Sequence, residues 1–169
     1  MKSLIRILVC TTFLLVLAAF SLPGPDPTAQ QSAPGARSAS ATPKSNQPEK
    51  PVPPYYKSAK AAEPLPATLQ PSQFADRPVV VTAYTIAKKM PKVLVQQPCY
   101  CGCDKHFGHH SLLDCYTSEH TAGCGICVKE TFFAWEMTRQ HKTPAQIRAA
   151  IIRGDFNSVD INHPPDVAP

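Results

Sequence analysis

Residues 98–103, Pro-Cys-Tyr-Cys-Gly-Cys, place three thiols at alternate positions, and three more follow at Cys115, Cys124 and Cys127. The intervening stretch carries four of the six histidines: His106, His109, His110 and His120. In an extended backbone alternate side chains share a face and stand about 6.5 Å apart, so Cys99, Cys101 and Cys103 would form a row pointing one way. A disulfide draws its Cβ atoms to about 3.8 Å, so bridging residues i and i+2 bends the chain and stores strain, and a strained bridge is easily reduced. Gly102 leaves the backbone free to curl, so the same row could instead wrap an ion. Thiolates beside imidazoles select copper(I) or zinc over hard cations.

Cys124-Gly-Ile-Cys127 is the second focus. A thiol at a helix N-terminus sees the positive end of the dipole, which lowers its pKa and favours thiolate. That suits a metal ligand and a redox nucleophile equally. A c-type haem is disfavoured, because Val128 follows Cys127 where a histidine is needed. The metal ligands expected are Cys99, Cys101, Cys103, Cys115, Cys124 and Cys127 with His109 and His120, holding copper(I) or zinc. If the chemistry is thiol–disulfide exchange or peroxide reduction, Cys99, Cys101, Cys124 and Cys127 are the catalytic candidates. His109 and His110 do not both face one ion if the chain is helical from Ser111. His141 and His163 read as turn residues. Six cysteines in an oxidising compartment also allow three structural disulfides, in fifteen pairings.

Helices must position these groups, and the fold class expected is all-α: a small helical domain with a Cys/His-rich central loop and a C-terminal helical hairpin. The last helix follows from Thr-Pro-Ala-Gln at 143–146, with Thr143 as N-cap, Pro144 at the first helical position and Gln146 completing a capping box. Ile147, Ala150 and Ile151 make its apolar face, and Gly154 ends it. A helix over about 127–140 puts Val128, Phe132 and Trp135 on one side, widened by Phe133 and Met137; this stripe reads as core. An earlier helix is expected around Ala83, Ile86, Ala87 and Met90, broken at Pro91. The Val79-Val80-Val81 run before it could equally open as a strand.

The N-terminus predicts location. Lys2 and Arg6 precede an apolar run from Ile7 to Phe20, with Ala19 and Ser21 as small residues for a signal peptidase. Residues 1–21 are therefore expected to be a signal peptide, giving a periplasmic or extracellular protein. The run is shorter than the roughly 20 residues of a bilayer span. An uncleaved segment acting as a membrane anchor is the alternative. Cys10, within this run, reads as an apolar filler. Residues 22–73 hold twelve of the nineteen prolines, with Ala, Ser and Gln, which predicts a disordered linker. The remaining domain, 74–166, is small enough to need metal or disulfides beside its core. Residues 74–169 carry ten Lys/Arg against nine Asp/Glu. Near-neutrality with interleaved signs excludes nucleic acid as an electrostatic partner and leaves a metal ion or a redox partner protein.

The stretch Ala-Lys-Lys-Met-Pro-Lys-Val-Leu-Val-Gln-Gln-Pro-Cys-Tyr-Cys-Gly-Cys, the His-Ser-Leu-Leu-Asp-Cys segment, Cys-Gly-Ile-Cys and Thr-Pro-Ala-Gln-Ile-Arg-Ala-Ala-Ile together resemble the bacterial PCYCGC-motif (CYCXC) family over roughly residues 83–156. Members are typically small exported proteins or lipoproteins, and some relatives carry selenocysteine in the motif region. The resemblance implies nucleophilic or soft-metal chemistry at Cys99, Cys101, Cys103, Cys115, Cys124 and Cys127. This chain has no lipid-attachment cysteine after its apolar run. Three readings follow: a module holding copper(I) or zinc, which leads; a thiol–disulfide or peroxide redox protein; and a disulfide-stapled interaction domain.

Overall fold

The computed structural model describes residues 51–167. The expected signal peptide and the linker as far as residue 50 lie outside the described residues. Five α-helices order the rest: α1 (Pro78–Lys89), α2 (Pro91–Leu94), α3 (Cys103–Phe107), α4 (Gly125–Arg139) and α5 (Pro144–Arg153), linked by 3₁₀ turns. There is no strand among the described residues, so the all-α expectation holds.

Local signals place each helix end. Pro78 starts α1, so the valine run after it is helical, with Val80, Ala83, Tyr84, Ile86 and Ala87 turned into the core. At Met90 the helix stops, and Pro91, which has no N–H to continue it, starts the single turn of α2. In α5 the Thr143 hydroxyl accepts from the Gln146 backbone while Gln146 Oε1 accepts from the Thr143 N–H, and Gly154 closes the helix at φ 87°. His141, at φ 60°, makes the turn between α4 and α5. Helices α1, α4 and α5 pack around Tyr84, Ile86, Phe132, Ile147 and Ile151, with Leu112, Leu113 and Tyr116 from the central loop closing the same core.

Two tyrosines pin that loop. Tyr84 O–H donates to the Ser118 carbonyl at 2.6 Å. Tyr116, packed edge-on to Tyr84, donates to Thr131 Oγ1 at 2.6 Å on α4. Burial without a partner would cost each hydroxyl on the order of 1–3 kcal/mol. These bonds therefore fix the loop's position as well as its burial. The loop between residues 103 and 124 holds only the short α3 and two 3₁₀ turns, and Tyr84 and Thr131 anchor it from outside.

One boundary differs from the sequence reading. The linker was expected to run to residue 73, but residues 51–73 are described, and much of this stretch lies on the domain. Tyr56 N–H donates to the Val95 carbonyl and Leu69 N–H to the Tyr116 carbonyl. Ala62 and Phe74 are buried, with Tyr56, Leu65 and Leu69 packed against the core. Scattered apolar residues in a Pro-rich stretch carry no periodicity, so their docking is set by the surface they cover. Deleting residues 54–69 from the full chain should lower the unfolding free energy by about 3 kcal/mol, read as a lower denaturation midpoint. Unchanged midpoints would mean that this arm adds nothing to the fold.

Candidate metal centre

The motif opens in a buried turn. Gln97 is fully buried, with Nε2 donating to the Val93 and Pro144 carbonyls at 3.0 and 3.3 Å, which ties the motif to α5. Leu112 N–H donates back to the Gln97 carbonyl at 2.9 Å. Beyond Cys99 the chain does not stay extended. Gly102 takes φ 83°, a left-handed conformation open to glycine, and the backbone curls into α3 at Cys103. The row expected from alternate spacing is thereby folded over, and Cys101 and Cys103 form a disulfide with their Cα atoms 5.7 Å apart.

Three other segments bring the remaining donors. The 3₁₀ turn Leu112–Tyr116 buries Cys115, whose Sγ lies 3.4 Å from Cys103 Sγ. The turn Glu119–Gly123 delivers His120, its Nε2 3.0 Å from Cys103 Sγ and 3.7 Å from Cys101 Sγ. Thr121 Oγ1 donates to the Cys115 carbonyl at 2.7 Å and holds these two turns together. From α4 comes Cys127, fully buried and 3.5 Å from Cys99 Sγ. Cys124, at the N-cap of the same helix, is half-buried.

All eight expected ligands thus converge, although His109 stands at the edge: its Nδ1 is 3.4 Å from Cys115 Sγ. The donor atoms form two groups that could hold a metal ion: Cys99, Cys101, Cys103, Cys115 and Cys127, then Cys101, His120, Cys124 and Cys127. Within each, every atom lies within 4.8 Å of the others. A tetrahedral ion about 2.3 Å from each sulfur needs donors about 3.8 Å apart, so the spacing suits thiolate coordination once the disulfide is reduced. His106 and His110 are exposed and outside both groups; the His110 ring lies tilted beside that of Tyr56, centroids 5.7 Å apart. His163 pairs with Asp160 on the surface. Only one of the three structural disulfides is formed here, leaving Cys99, Cys115, Cys124 and Cys127 free.

Electrostatics explain why four free thiols tolerate this crowding. Hydrogen bonds from Cys115 and Cys127 hold Cys99 well below the ordinary thiol range, against the effect of burial. Cys127 is driven upward because its proton is shared with Cys115, Cys124 and Cys99. Cys124 is lowered to about 6, first by Cys127 and then by the Cys127 and Ile126 amides at the start of α4. The cluster therefore titrates as a unit, with protons shared between neighbours. A soft metal ion takes the place of such protons.

The sequence reading missed Glu130. It is fully buried one turn beyond Cys127, and its Oε1 accepts from the Tyr100 N–H at 2.7 Å, inside the motif. Its Oε2 has no hydrogen-bond partner. Burial first, then the charge on Cys99, hold this carboxyl well above the usual carboxylate range. The available signal was its i+3 spacing from Cys127, which puts both on one helix face.

Fold and site define the class: a small all-α domain built round a buried Cys/His cluster that could hold a metal ion. The chain belongs to the family described as proteins of unknown function with a PCYCGC motif, whose model matches residues 55–158. That match includes much of the arm before residue 74. No curated protein and no solved structure matches the chain significantly.

A carboxyl held protonated should be replaced by its neutral isostere at little cost. Glu130→Gln should stay within about 1 kcal/mol of wild type at about pH 4, where the wild-type carboxyl is protonated in the folded state and mostly so in the unfolded chain, whereas Glu130→Ala, which strands the Tyr100 N–H, should lose about 1–3 kcal/mol. Because the folded-state pKa is raised, wild-type stability should decline relative to the Gln variant as pH rises above about 4 toward the folded-state pKa. Parallel profiles across that window in chemical denaturation would show that the carboxyl is ionised.

Proposed function

We propose that this domain binds a soft metal ion, copper(I) or zinc, outside the cytoplasm. The observation that carries the reading is the convergence of six sulfurs and His120 from four separate chain segments within coordination distance. Structural stapling needs pairs of sulfurs, whereas these lie in overlapping groups. Loading the full set requires reduction of the Cys101–Cys103 bond. A dithiol can supply the two electrons and two protons, becoming a disulfide itself while both cysteines become thiols. Export is supported by the basic, apolar and small-residue order of residues 1–21. The alternative to cleavage is retention of that segment as a membrane anchor; among the described residues no helix is long and apolar enough to cross a membrane. The partners are then the metal ion and a thiol reductant, with no nucleic acid.

Metal held by the native state alone raises stability by about 2.7 kcal/mol at a hundredfold excess over Kd. Reduced full chain given zinc or copper(I) should gain metal mass in native mass spectrometry and melt several degrees higher than the chelated protein. An unchanged mass with superimposable melting curves would rule the reading out.

A second reading, thiol–disulfide exchange, is favoured by Cys124. This thiol is half-buried, ionises more readily than Cys115 and Cys127, and borders a cleft of about 430 Å³ with Arg77, Val80 and Ile161. In the metal-free protein at neutral pH, iodoacetamide should modify Cys124 roughly tenfold or more faster than buried Cys115 and Cys127. Equal rates for the three, followed by peptide mass mapping, would remove the basis for a redox nucleophile.

A further inference from the structure

The donors do not make one coordination sphere. A tetrahedral ion takes four donors, and the group Cys101, His120, Cys124 and Cys127 supplies that number. The other group, Cys99, Cys101, Cys103, Cys115 and Cys127, supplies five. One ion in the first group would leave Cys99, Cys103 and Cys115 buried without a metal; one in the second would leave His120 and Cys124 unused. A single ion therefore leaves donors unused in either position, whereas two tetrahedral ions sharing one donor take seven, the number that the six sulfurs and His120 supply.

The two groups share Cys101 and Cys127. Both shared donors are sulfurs, and a thiolate keeps lone pairs for a second metal after binding a first. An imidazole nitrogen has a single lone pair and cannot bridge; His120 belongs to one group only. Charge points the same way. Six thiolates against two dications leave a residual charge of two minus, half of what one dication would leave, and residual charge is costly in a buried site. Burial separates the two positions. Cys99, Cys103, Cys115 and Cys127 are buried, whereas Cys101, His120 and Cys124 are only half-buried.

From this arrangement, and resting on the metal-binding reading above, we propose a two-ion centre for zinc-class dications, bridged by the Cys127 thiolate. The inner ion takes Cys99, Cys103 and Cys115 as its other donors, and the outer ion takes Cys101, His120 and Cys124. The outer ion lies toward solvent beside Cys124 and exchanges first.

The test is ¹¹³Cd NMR and native mass spectrometry of the full chain, reduced anaerobically with a dithiol and titrated with ¹¹³Cd²⁺. Two bound ions with scalar coupling between their resonances are expected, because the coupling passes through a shared sulfur. Cys127→Ser should abolish the coupling. Cys124→Ser, at a half-buried position where folding is little disturbed, should release the outer ion and reduce the stoichiometry from two to one. One bound ion, or two resonances without coupling, would overturn the bridged pair and leave the metal-binding reading standing. No bound cadmium would overturn both.

Discussion

Cys127 has to be surrounded by sulfur in a place that water cannot reach. It is fully buried in the first turn of α4, with Cys99 beside it and Cys124 one turn before it. Thiols packed this closely cannot all ionise in a low-dielectric interior, nor can they all stay neutral and unpartnered. Shared protons satisfy the group in the metal-free state, one disulfide relieves it further, and a soft cation would satisfy it most fully. The rest of the domain can be understood as the scaffold that keeps this crowded turn in place.

That scaffold works by anchoring irregular chain to regular helices. The central loop has only short turns to hold itself, so hydrogen bonds tie it to the rest of the domain, Tyr116 to Thr131, Tyr84 to Ser118 and Leu112 to Gln97, while Thr121 to Cys115 joins two of its own turns. Each is buried or half-buried, where an unmade bond is expensive, so together they define the loop tightly. Glu130 belongs to the same arrangement. Its carboxyl reaches from α4 to the Tyr100 amide and so couples the helix carrying Cys127 to the motif carrying Cys99 and Cys101. Pro53 and Pro54 from the N-terminal arm line a small cleft together with Cys99, Cys103 and His109.

Helix ends were the most legible feature of the fold. Thr143, Pro144, Gln146 and Gly154 act through neighbours three or four residues away, so a short window contains the whole cause. Pro91 is similar: its missing N–H stops α1 whatever surrounds it. The valine run at 79–81 was ambiguous because β-branched residues suit a strand as well as a buried helical face; Pro78 and the packing around Val80 resolve it. The docked arm was not legible, since its apolar residues follow no period and match only a surface built by distant segments. Glu130 was hidden for a related reason. A glutamate in a helix usually faces water, and nothing local reveals that its neighbours will bury it.

For the site, residue type and spacing alone determined the chemistry on offer: soft donors, too many and too close for simple pairing, with a thiol at a helix start. Those properties belong to the side chains and their immediate neighbours. Tertiary structure decided which donors meet. The curl at Gly102, the two turns that carry Cys115 and His120, and the docking of α4 bring together sulfurs separated by up to 28 residues. Such encounters depend on packing summed over the whole core, which no local window of sequence contains.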